Sequence, residues 1–358
     1  MSRVVVGLSG GVDSAVAALL LRQAGHQLTA VFMKNWDDDD DQDYCPAKQD
    51  LQDARHVCQR LDIELQTVSF SAEYWDRVFR HFLDEYQAGR TPNPDILCNQ
   101  EIKFRAFLDY ALAHGADAIA TGHYARIEKD TTIRLLRATD GNKDQTYFLH
   151  TLNQSQLERS LFPIGDLEKT VVRELAAQAG FQNHDKKDST GICFIGERKF
   201  RDFLERYLPR QPGEIRTLDD QIIGRHQGLV FYTIGQREGL GIGGRKGLDG
   251  DPWYVAGKDT RRNILRVIQG VNHPALFNRQ LHTGRLHWIA GSAPALPLAC
   301  TARIRYRQPD QPCLVTGAPD ETGIVEFSEP QRAVTPGQSV VFYDGEVCLG
   351  GGVIEAAI

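Results

Sequence analysis

Residues 9–14 read Ser-Gly-Gly-Val-Asp-Ser and follow closely on an apolar run at residues 4–6. An amphipathic stretch, residues 15–24, comes next and stops at Gly25. This order predicts a strand, a glycine turn and a helix whose unpaired N–H groups and positive dipole end face the turn. The glycines let a ligand approach the backbone, and the serines add hydroxyl donors. The segment therefore predicts a cradle for a pyrophosphate group.

Two better-known phosphate-binding loops fit this segment badly. A Walker loop needs Gly-Lys-Ser/Thr after four spacer residues, and the segment contains no lysine. A dinucleotide fingerprint needs G-x-G-x-x-G, which the spacing of Gly7, Gly10 and Gly11 does not match. An ordinary tight turn with a good helix cap is the structural alternative. Asp13 stands where a phosphate could be held through Mg²⁺.

The composition is typical of a soluble globular protein, since 41% of the 358 residues are hydrophobic and 25% are charged. This length favours two or three domains over a single core. No long apolar run near the start and no signal peptide are visible, so we expect a cytoplasmic protein without a membrane partner. The seven cysteines form no C-x-x-C pair and no zinc-ligand spacing. We expect no disulfide scaffold in a large protein of a reducing compartment.

Residues 1–205 alternate predicted strands with predicted helices. The predicted strands are residues 4–6, 27–33, 63–68 and 116–121, and the predicted helices are residues 15–24, 50–61, 72–86, 99–114 and 167–179. This alternation is typical of an α/β domain with a doubly wound parallel sheet. Ligands in such domains bind beyond the carboxyl ends of the strands. The loop at residues 9–14, Met33 and Gly122 should therefore border one crevice.

Beyond residue 205 the helical pattern fades, and short strands with Gly and Pro turns replace it. We expect a small β-rich central domain over residues 206–272 and a C-terminal β-barrel over residues 273–358. One predicted barrel strand, residues 302–307, would place Arg303, Arg305 and Arg307 on one face. Three guanidinium groups in a row can follow nucleic-acid phosphates, although an exposed strand face without such a role is the alternative.

The net charge of −6 conceals an uneven distribution. Residues 197–316 carry 19 of the 41 basic residues but only 11 of the 47 acidic ones. A basic middle on an acidic body suits a polyanion that docks in one place. A chance fluctuation on a solvated surface would produce the same pattern.

Two cysteines stand in settings that favour a reactive thiol. Cys98 follows a segment stiffened by two prolines and falls at the start of the predicted helix 99–114, where the helix dipole favours a thiolate. Cys193 lies between Gly191 and Gly196, just before a basic stretch. Each alone could be a small buried hydrophobic residue. Together with a pyrophosphate-binding loop they indicate sulfur chemistry.

The loop at residues 9–14 resembles the PP-loop of ATP pyrophosphatases, which cleave ATP between its α- and β-phosphates. Over nearly its whole length, the chain resembles the bacterial tRNA-specific 2-thiouridylases. The resemblance rests on residues 7–14, Met33, residues 93–95 with Cys98, and residues 120–124, 143–145, 189–196 and 305–306, in that order. It implies a PP-loop catalytic domain, a small central domain and a C-terminal β-barrel.

The resemblance also implies roles for individual residues. ATP would be bound by Gly7, Leu8, Ser9, Gly10, Gly11, Val12, Asp13, Ser14, Met33 and Gly122. The target base would be held by Asn93, Pro94 and Asp95, and tRNA would be contacted by His123, Lys143, Asp144, Gln145, Arg305, Tyr306 and Gln338. Cys193 would carry sulfur as a persulfide, and Cys98 would be its catalytic partner.

The implied activity is ATP-dependent 2-thiolation of the wobble uridine of tRNA, giving 2-thiouridine, AMP and pyrophosphate. The implied partners are the anticodon stem-loop of tRNA and a protein that donates persulfide sulfur. Two other interpretations stay open. One is a PP-loop ligase that uses an amine nucleophile, and the other is a non-enzymatic, ATP-sensing RNA-binding module.

Overall fold

The computed structural model describes residues 1–36, 46–187, 200–242, 250–317 and 322–358. Its strands are β1 (Arg3–Gly7), β2 (Gln27–Lys34), β3 (Glu64–Ser69), β4 (Ala118–Ala120), β5 (Ala125–Lys129), β6 (Ile133–Arg137), β7 (Ser160–Leu161), β8 (Gly213–Arg216), β9 (Ile222–His226), β10 (Trp253–Asp259), β11 (Ile264–Gln269), β12 (Phe277–Arg285), β13 (His287–Trp288), β14 (Leu298–Arg303), β15 (Gln311–Gly317), β16 (Thr322–Arg332), β17 (Ser339–Asp344) and β18 (Val347–Ala357).

The α-helices are α1 (Val12–Gln23), α2 (Pro46–Leu61), α3 (Ser71–Tyr74), α4 (Arg80–Gln87), α5 (Pro94–Leu97), α6 (Phe107–Ala113), α7 (Thr146–Leu149), α8 (Gln154–Glu158), α9 (Lys169–Gln178) and α10 (Phe200–Leu204). Two π-helical stretches, Trp75–Phe79 and Cys98–Ala106, join α3 to α4 and α5 to α6. Short 3₁₀ helices lie at Leu229–Phe231 and Pro274–Leu276. Among the described residues, no helix has both the length and the apolar composition needed to cross a bilayer.

The first sheet has five strands in the order β3-β2-β1-β4-β7, and each recorded pairing is parallel. Val4 and Val6 belong to the same core cluster as residues of α1 and α9. Val5 points the other way, into a cluster with the helical run 94–113. Helices therefore cover both faces, as the alternating pattern predicted. The strand order reverses between β1 and β4, which is where doubly wound sheets bind ligands.

The helical run that carries Cys98 begins at Pro94, five residues before the start of the predicted helix 99–114. Asn93 caps it, because its side-chain oxygen accepts a bond from the backbone N–H of Asp95 at 3.2 Å. Pro94 occupies the first helical position, where its missing N–H is no loss. The prediction was wrong at this end because the second proline starts the helix instead of extending the loop.

The central domain contributes a four-stranded sheet in the order β10-β11-β8-β9. The C-terminal strands form a closed six-stranded barrel, since β12, β16, β15, β14, β17 and β18 pair in that order and β18 pairs again with β12. The hairpin β5–β6 leaves the first domain and extends the barrel sheet, with Leu135 and Leu136 opposite Cys348 and Val347. The predicted fold class is confirmed, and the barrel and the first domain share one continuous sheet.

One predicted barrel strand is wrong. β14 ends at Arg303, and residues 304–307 form a turn. The guanidinium of Arg303 is not part of an exposed row, since its Nε donates to Asp310 Oδ1 at 2.6 Å and its Cζ lies 5.3 Å from the ring centre of Tyr343. The alternation of polar and apolar residues therefore predicted a strand at a place where the chain turns toward β15.

Candidate nucleotide and sulfur-transfer site

The loop between β1 and α1 is a compact turn that its two serines fix. The backbone N–H of Ser9 donates to Ser14 Oγ at 3.2 Å, and Ser14 Oγ donates to the carbonyl of Gly11 at 3.1 Å. Gly11 is the cap residue of α1 and brings no side chain to the helix end. The first N–H groups of α1 therefore stay directed into the turn, which is the arrangement that binds a phosphate.

Two glycines are required by close backbone approaches. Gly10 has a φ of +78°, and a Cβ there would lie 2.3 Å from the carbonyl oxygen of Asp50. A Cβ on Gly122, which follows β4, would lie 2.5 Å from the backbone nitrogen of Ser14. A side chain at either position would clash with the neighbouring backbone and displace the loop.

The other predicted nucleotide contacts lie at the same edge of the sheet. The N–H of Leu8 donates to the carbonyl of Val31 at 2.9 Å and ties the end of β1 to β2. The Cε of Met33 lies 3.1 Å from the place that a Cβ would take on Gly7. Val12 is buried beneath the loop. The structure thus brings the predicted nucleotide-binding residues together at one edge of the sheet, and their contact with ATP stays a prediction.

Two side chains that the sequence analysis missed hold Asp13. The ammonium of Lys169 donates to both carboxylate oxygens of Asp13 at 2.8 Å, and the hydroxyl of Tyr124 donates to Oδ1 at 2.8 Å. Lys169 is the first residue of α9, and its side chain is only 10% exposed. A largely buried cation therefore stands beside a loop that has no lysine of its own. No local pattern indicates it, because the two partners are 156 residues apart.

A second ammonium, that of Lys186, supports the backbone of the glycine turn. It donates to the carbonyl of Gly10 at 3.3 Å and to Asp50 Oδ1 at 2.6 Å, and it also bonds to Asp53. Asn183 donates to the same glycine carbonyl at 2.9 Å. Lys186 stands just before the predicted motif at residues 189–196, and that proximity is the sequence signal that could have revealed it.

A Mg²⁺ ion at Asp13 would need the phosphates of the nucleotide as further ligands. Among the described residues there is no cluster of three His, Cys, Asp or Glu side chains that could hold a metal. Mg²⁺ is commonly held by one or two carboxylates together with substrate phosphates. Both oxygens of Asp13 accept hydrogen bonds from Lys169, so Asp13 could bind a metal only by releasing that lysine. In this structure Asp13 pairs with Lys169, and its binding of Mg²⁺ stays a prediction.

Cys98 is buried one turn inside its helical run, not at the run's N-terminus as predicted. It belongs to the apolar core cluster that also contains Ile102 and Phe104. Cys193 and the whole motif at residues 189–196 lie outside the described residues. The pairing of the two thiols therefore stays a prediction.

The predicted base-binding residues begin the same helical run. Asn93 caps it, Pro94 is buried, and Asp95 stands three residues before Cys98. Side chains at this spacing lie on the same face of a helix. Burial raises the pKa of the Asp95 carboxyl, while the nearby ammonium of Lys103 acts in the opposite direction. Asp95 is half-buried, whereas Cys98 is fully buried.

His123 follows Gly122 at the crevice and is only 8% exposed. Its Nδ1 lies 2.7 Å from the hydroxyl of Thr121, and its ring packs against Phe104 and Phe162. Burial, with a smaller contribution from a nearby lysine, holds the pKa of His123 well below its ordinary value. The imidazole is therefore neutral at pH 7. Its contact with tRNA stays a prediction, and little of its surface is open to make one.

The predicted tRNA residues 143–145 join the crevice to the barrel. Asp144 is 2% exposed, and the hydroxyl of Thr146 donates one shared bond to its two carboxylate oxygens, at 3.0 and 2.9 Å. Asp144 also lies 3.6 Å from Arg303 of β14. Gln145 Oε1 accepts a bond from the backbone N–H of Tyr124 at 2.9 Å. Both side chains act inside the protein, and their predicted contacts with RNA stay predictions.

Arg305 and Tyr306 also lie at this junction. Arg305 Nη2 donates to the carbonyl of Ala333 at 3.1 Å. The ring of Tyr306 packs 4.5 Å from that of Phe148, and its hydroxyl lies 3.5 Å from the carbonyl oxygen of Lys143. Tyr306 therefore faces the first domain from the turn after β14, whereas the recorded bonds of Arg305 go to the barrel and the central domain.

Gln338, the remaining predicted tRNA contact, reaches the segment that leads into the base-binding residues. Its Nε2 donates to the carbonyl of Thr91 at 2.8 Å. Lys143, Asp144, Tyr306 and Gln338 thus lie where the first domain meets the barrel.

A phosphate cradle at the switch point of a parallel sheet, followed by two β domains, defines a PP-loop nucleotide-binding protein. Residues 2–197 match a family described as the tRNA methyl transferase HUP domain. Residues 201–269 match the tRNA methyl transferase PRC-barrel domain, and residues 278–354 match the aminomethyltransferase beta-barrel domain.

Curated relatives match along the whole chain and are more specific. The tRNA-specific 2-thiouridylase MnmA of Alcanivorax borkumensis is 61% identical over 354 residues, which is 99% of this chain and 97% of that protein. Those of Pseudomonas paraeruginosa and Methylobacillus flagellatus are 61% and 57% identical, covering 99% of this chain and 95% and 99% of theirs. The chain belongs to the tRNA-specific 2-thiouridylase family, whose members are sulfurtransferases.

Proposed function

We propose that the protein uses ATP to thiolate C2 of the wobble uridine in tRNA. The observation that carries the proposal is the open cradle at the start of α1, flanked by Lys169, in a chain 61% identical to a 2-thiouridylase over 99% of its length. The cradle supports the use of ATP. The family and the buried thiol of Cys98 support sulfur transfer.

Activation is needed because the C2 carbonyl of uridine is unreactive and its oxygen is a poor leaving group. Attack of that oxygen on the α-phosphorus of ATP forms an O–P bond and breaks the bond to the bridging oxygen, so pyrophosphate leaves. The N–H groups at the start of α1 and the hydroxyls of Ser9 and Ser14 hold the departing phosphates. The ammonium of Lys169 turns from Asp13 to a phosphate oxygen as negative charge develops. Mg²⁺ would enter with the nucleotide.

Sulfur then replaces the activated oxygen. Cys193 carries a persulfide received from a donor protein, and its terminal sulfur attacks C2 while AMP leaves with the former carbonyl oxygen. The thiolate of Cys98 attacks the inner sulfur, which breaks the S–S bond and leaves the outer sulfur on the base. In the alternative order, Cys98 first releases hydrosulfide, which attacks C2. Both orders leave a Cys98–Cys193 disulfide that an external dithiol must reduce.

The substrate has to present a single base. Wobble uridine stacks within the anticodon loop, so it must leave that stack to reach Asn93, Pro94 and Asp95. The basic middle of the chain supplies a charge that suits the tRNA backbone.

Pyrophosphate release is the test of the activation step. We expect release from ATP only when tRNA with a wobble uridine is present, and the absence of any release with that tRNA would favour a non-enzymatic, ATP-sensing binding protein. Supplying ammonia or a persulfide to the activated tRNA then separates an amine ligase from a thiolase. Only the persulfide should give a modified base.

A further inference from the structure

The segment that leads into the base-binding residues is held by the barrel. The N–H of Thr91 donates to the carbonyl of Pro336 at 2.9 Å, and the carbonyl of Thr91 accepts the bond from Gln338 Nε2 at 2.8 Å. Between these two barrel residues, Gly337 has a φ of +93°, and a Cβ there would lie 2.8–2.9 Å from the N, C and O atoms of Thr91. The barrel loop 335–338 therefore forms hydrogen bonds with both polar backbone groups of Thr91 and packs closely against its backbone at Gly337.

The barrel loop 335–338 is itself held in place by the barrel. The N–H of Gly337 donates to the carbonyl of Ile354, and the N–H of Ile354 donates to the carbonyl of Gln338, both at 2.8 Å. Both bonds tie the loop to β18, the strand that closes the barrel. A small displacement of β18 would therefore move Thr91.

The central domain holds the same segment from its other side. The hydroxyl of Thr91 lies 3.3 Å from that of Thr233, and the ammonium of Lys258 donates to the carbonyl of Gly89 at 3.0 Å. Thr91 is 8% exposed. The central domain and the barrel thus both set the position of Thr91, a residue of the first domain.

The residues after Thr91 connect it rigidly to the predicted base-binding residues. Pro92 and Pro94 fix the backbone on either side of Asn93, and the Asn93 cap sets the first turn, which carries Asp95. Because this segment has few free torsions, a shift of Thr91 is carried to the base-binding residues.

We propose that the barrel loop 335–338 positions the base-binding residues and that Gln338 couples the docking of tRNA to them. This inference rests on the proposed thiolation. One amide hydrogen of Gln338 is engaged by Thr91. Within the described part of the chain, no other bond of the Gln338 side chain is recorded, so its second amide hydrogen and Oε1 can bind a ribose or phosphate oxygen. A bound tRNA would then fix Gln338, Thr91 and the base-binding residues as one unit.

Gly337→Ala tests the proposal, because glycine has no side chain whose contact with RNA could be lost. Gly345→Ala is the matched control, since Gly345 also has a positive φ (+55°) but a Cβ there meets nothing within 4 Å. We expect Gly337→Ala to slow single-turnover thiolation at saturating tRNA and ATP by at least about tenfold. The Kd for tRNA should change by less than about threefold, and Gly345→Ala should match the wild type. Hydrogen exchange in peptides covering residues 91–98 should accelerate in Gly337→Ala alone.

Gln338→Met is the second variant and covers a failure of Gly337→Ala to fold. It keeps the side-chain length and removes the amide, so positioning predicts a slower step at saturating tRNA as well as weaker binding. A change confined to the Kd for tRNA in both variants, or equal rates for Gly337→Ala and Gly345→Ala, would overturn the proposal. If the wild type itself made no 2-thiouridine, the proposed function would fail, and unchanged exchange at residues 91–98 in Gly337→Ala would separately reject the positioning role.

Discussion

The ammonium of Lys169 lies 2.8 Å from each carboxylate oxygen of Asp13, which is the second residue of the helix that starts at the phosphate cradle. A Walker loop carries its phosphate-binding lysine within the loop. Here the cation comes from α9, which is distant from the cradle in sequence but next to it in space. In this structure the carboxylate of Asp13 holds that ammonium beside the cradle.

Replacing Lys169 by Met should slow activation of the base about 100-fold or more. The substitution keeps the bulk of the side chain and removes a charge that stabilises the departing pyrophosphate, an effect worth about 10²-fold or more in rate. The measurement is tRNA-dependent pyrophosphate release in a single turnover.

Lys129→Met is the matched control, since Lys129 is exposed and donates only to the carbonyl of Glu158 at 2.9 Å among the bonds recorded for it. It should release pyrophosphate at the wild-type rate. A Lys169→Met protein with a normal rate and only a lower melting temperature would show that the ion pair serves stability alone.

Gly122→Ala should disable the cradle from the neighbouring strand. The new Cβ would stand 2.5 Å from the backbone nitrogen of Ser14, so the loop must move. We expect ATP affinity to fall by at least about tenfold, measured by equilibrium binding. Gly141→Ala, in the same domain and with nothing within 4 Å of its Cβ, should bind ATP normally. Equal affinities for the two variants would contradict the assignment of this edge to ATP.

Cys98→Ser should separate activation from sulfur transfer. We expect tRNA-dependent pyrophosphate release to continue while formation of 2-thiouridine falls by about 100-fold or more, and Cys193→Ser should lose the product as well. Cys58→Ser is the control, because burial raises the pKa of the Cys58 thiol to about 12 and leaves it without thiolate character at neutral pH. Normal thiolation by either Cys98→Ser or Cys193→Ser, with a persulfide donor, would reject the two-cysteine scheme.

His150 should make the protein sensitive to acid. Burial lowers the pKa of His150 to about 4 from 6.5, even though its Nδ1 is bonded to the carbonyl of Tyr147 at 2.8 Å. Between pH 6.5 and 4 the unfolded chain therefore binds a proton that the folded chain does not, so stability falls as the pH is lowered through this range. The full effect is roughly 3 kcal/mol. Below pH 4 this group adds no further loss.

Urea unfolding midpoints at a series of pH values provide the measurement. His150→Gln cannot be protonated, so its midpoint should fall less steeply between pH 6.5 and 4 than that of the wild type. His282→Gln, at an exposed position, should keep the wild-type slope. Identical slopes for all three proteins would show that His150 does not titrate as described.

The sequence predicted what local chemistry determines. Neighbouring residues in the sequence determine the strand, glycine turn and helix at residues 3–23. They also place the candidate site at the carboxyl ends of the parallel strands. The positions of Lys169 and Lys186 are set by the packing of α9 and the following segment against α1, which no local pattern encodes. The same limit applies to the hairpin β5–β6, whose partner strand β18 lies about 200 residues further along the chain.

Two errors arose where one local pattern permits two structures. Alternation at residues 302–307 fits a strand, but Arg303 is drawn inward by Asp310, and the chain turns there. The pair of prolines before Cys98 fits a loop, but the Asn93 cap makes Pro94 a helix start. In each case a side-chain hydrogen bond decides between the two structures.

Mass spectrometry of nucleosides tests the central claim most directly. Purified protein is incubated with unmodified tRNA bearing a wobble uridine, ATP, a cysteine-desulfurase-type persulfide donor and a dithiol reductant, and the digested tRNA is analysed. The account predicts 2-thiouridine at the wobble position, with one AMP and one pyrophosphate formed per thiolated base, and none when ATP or the donor is omitted. Thiolation that proceeds without ATP, or ATP cleavage that leaves the uridine unmodified in the complete mixture, would contradict it.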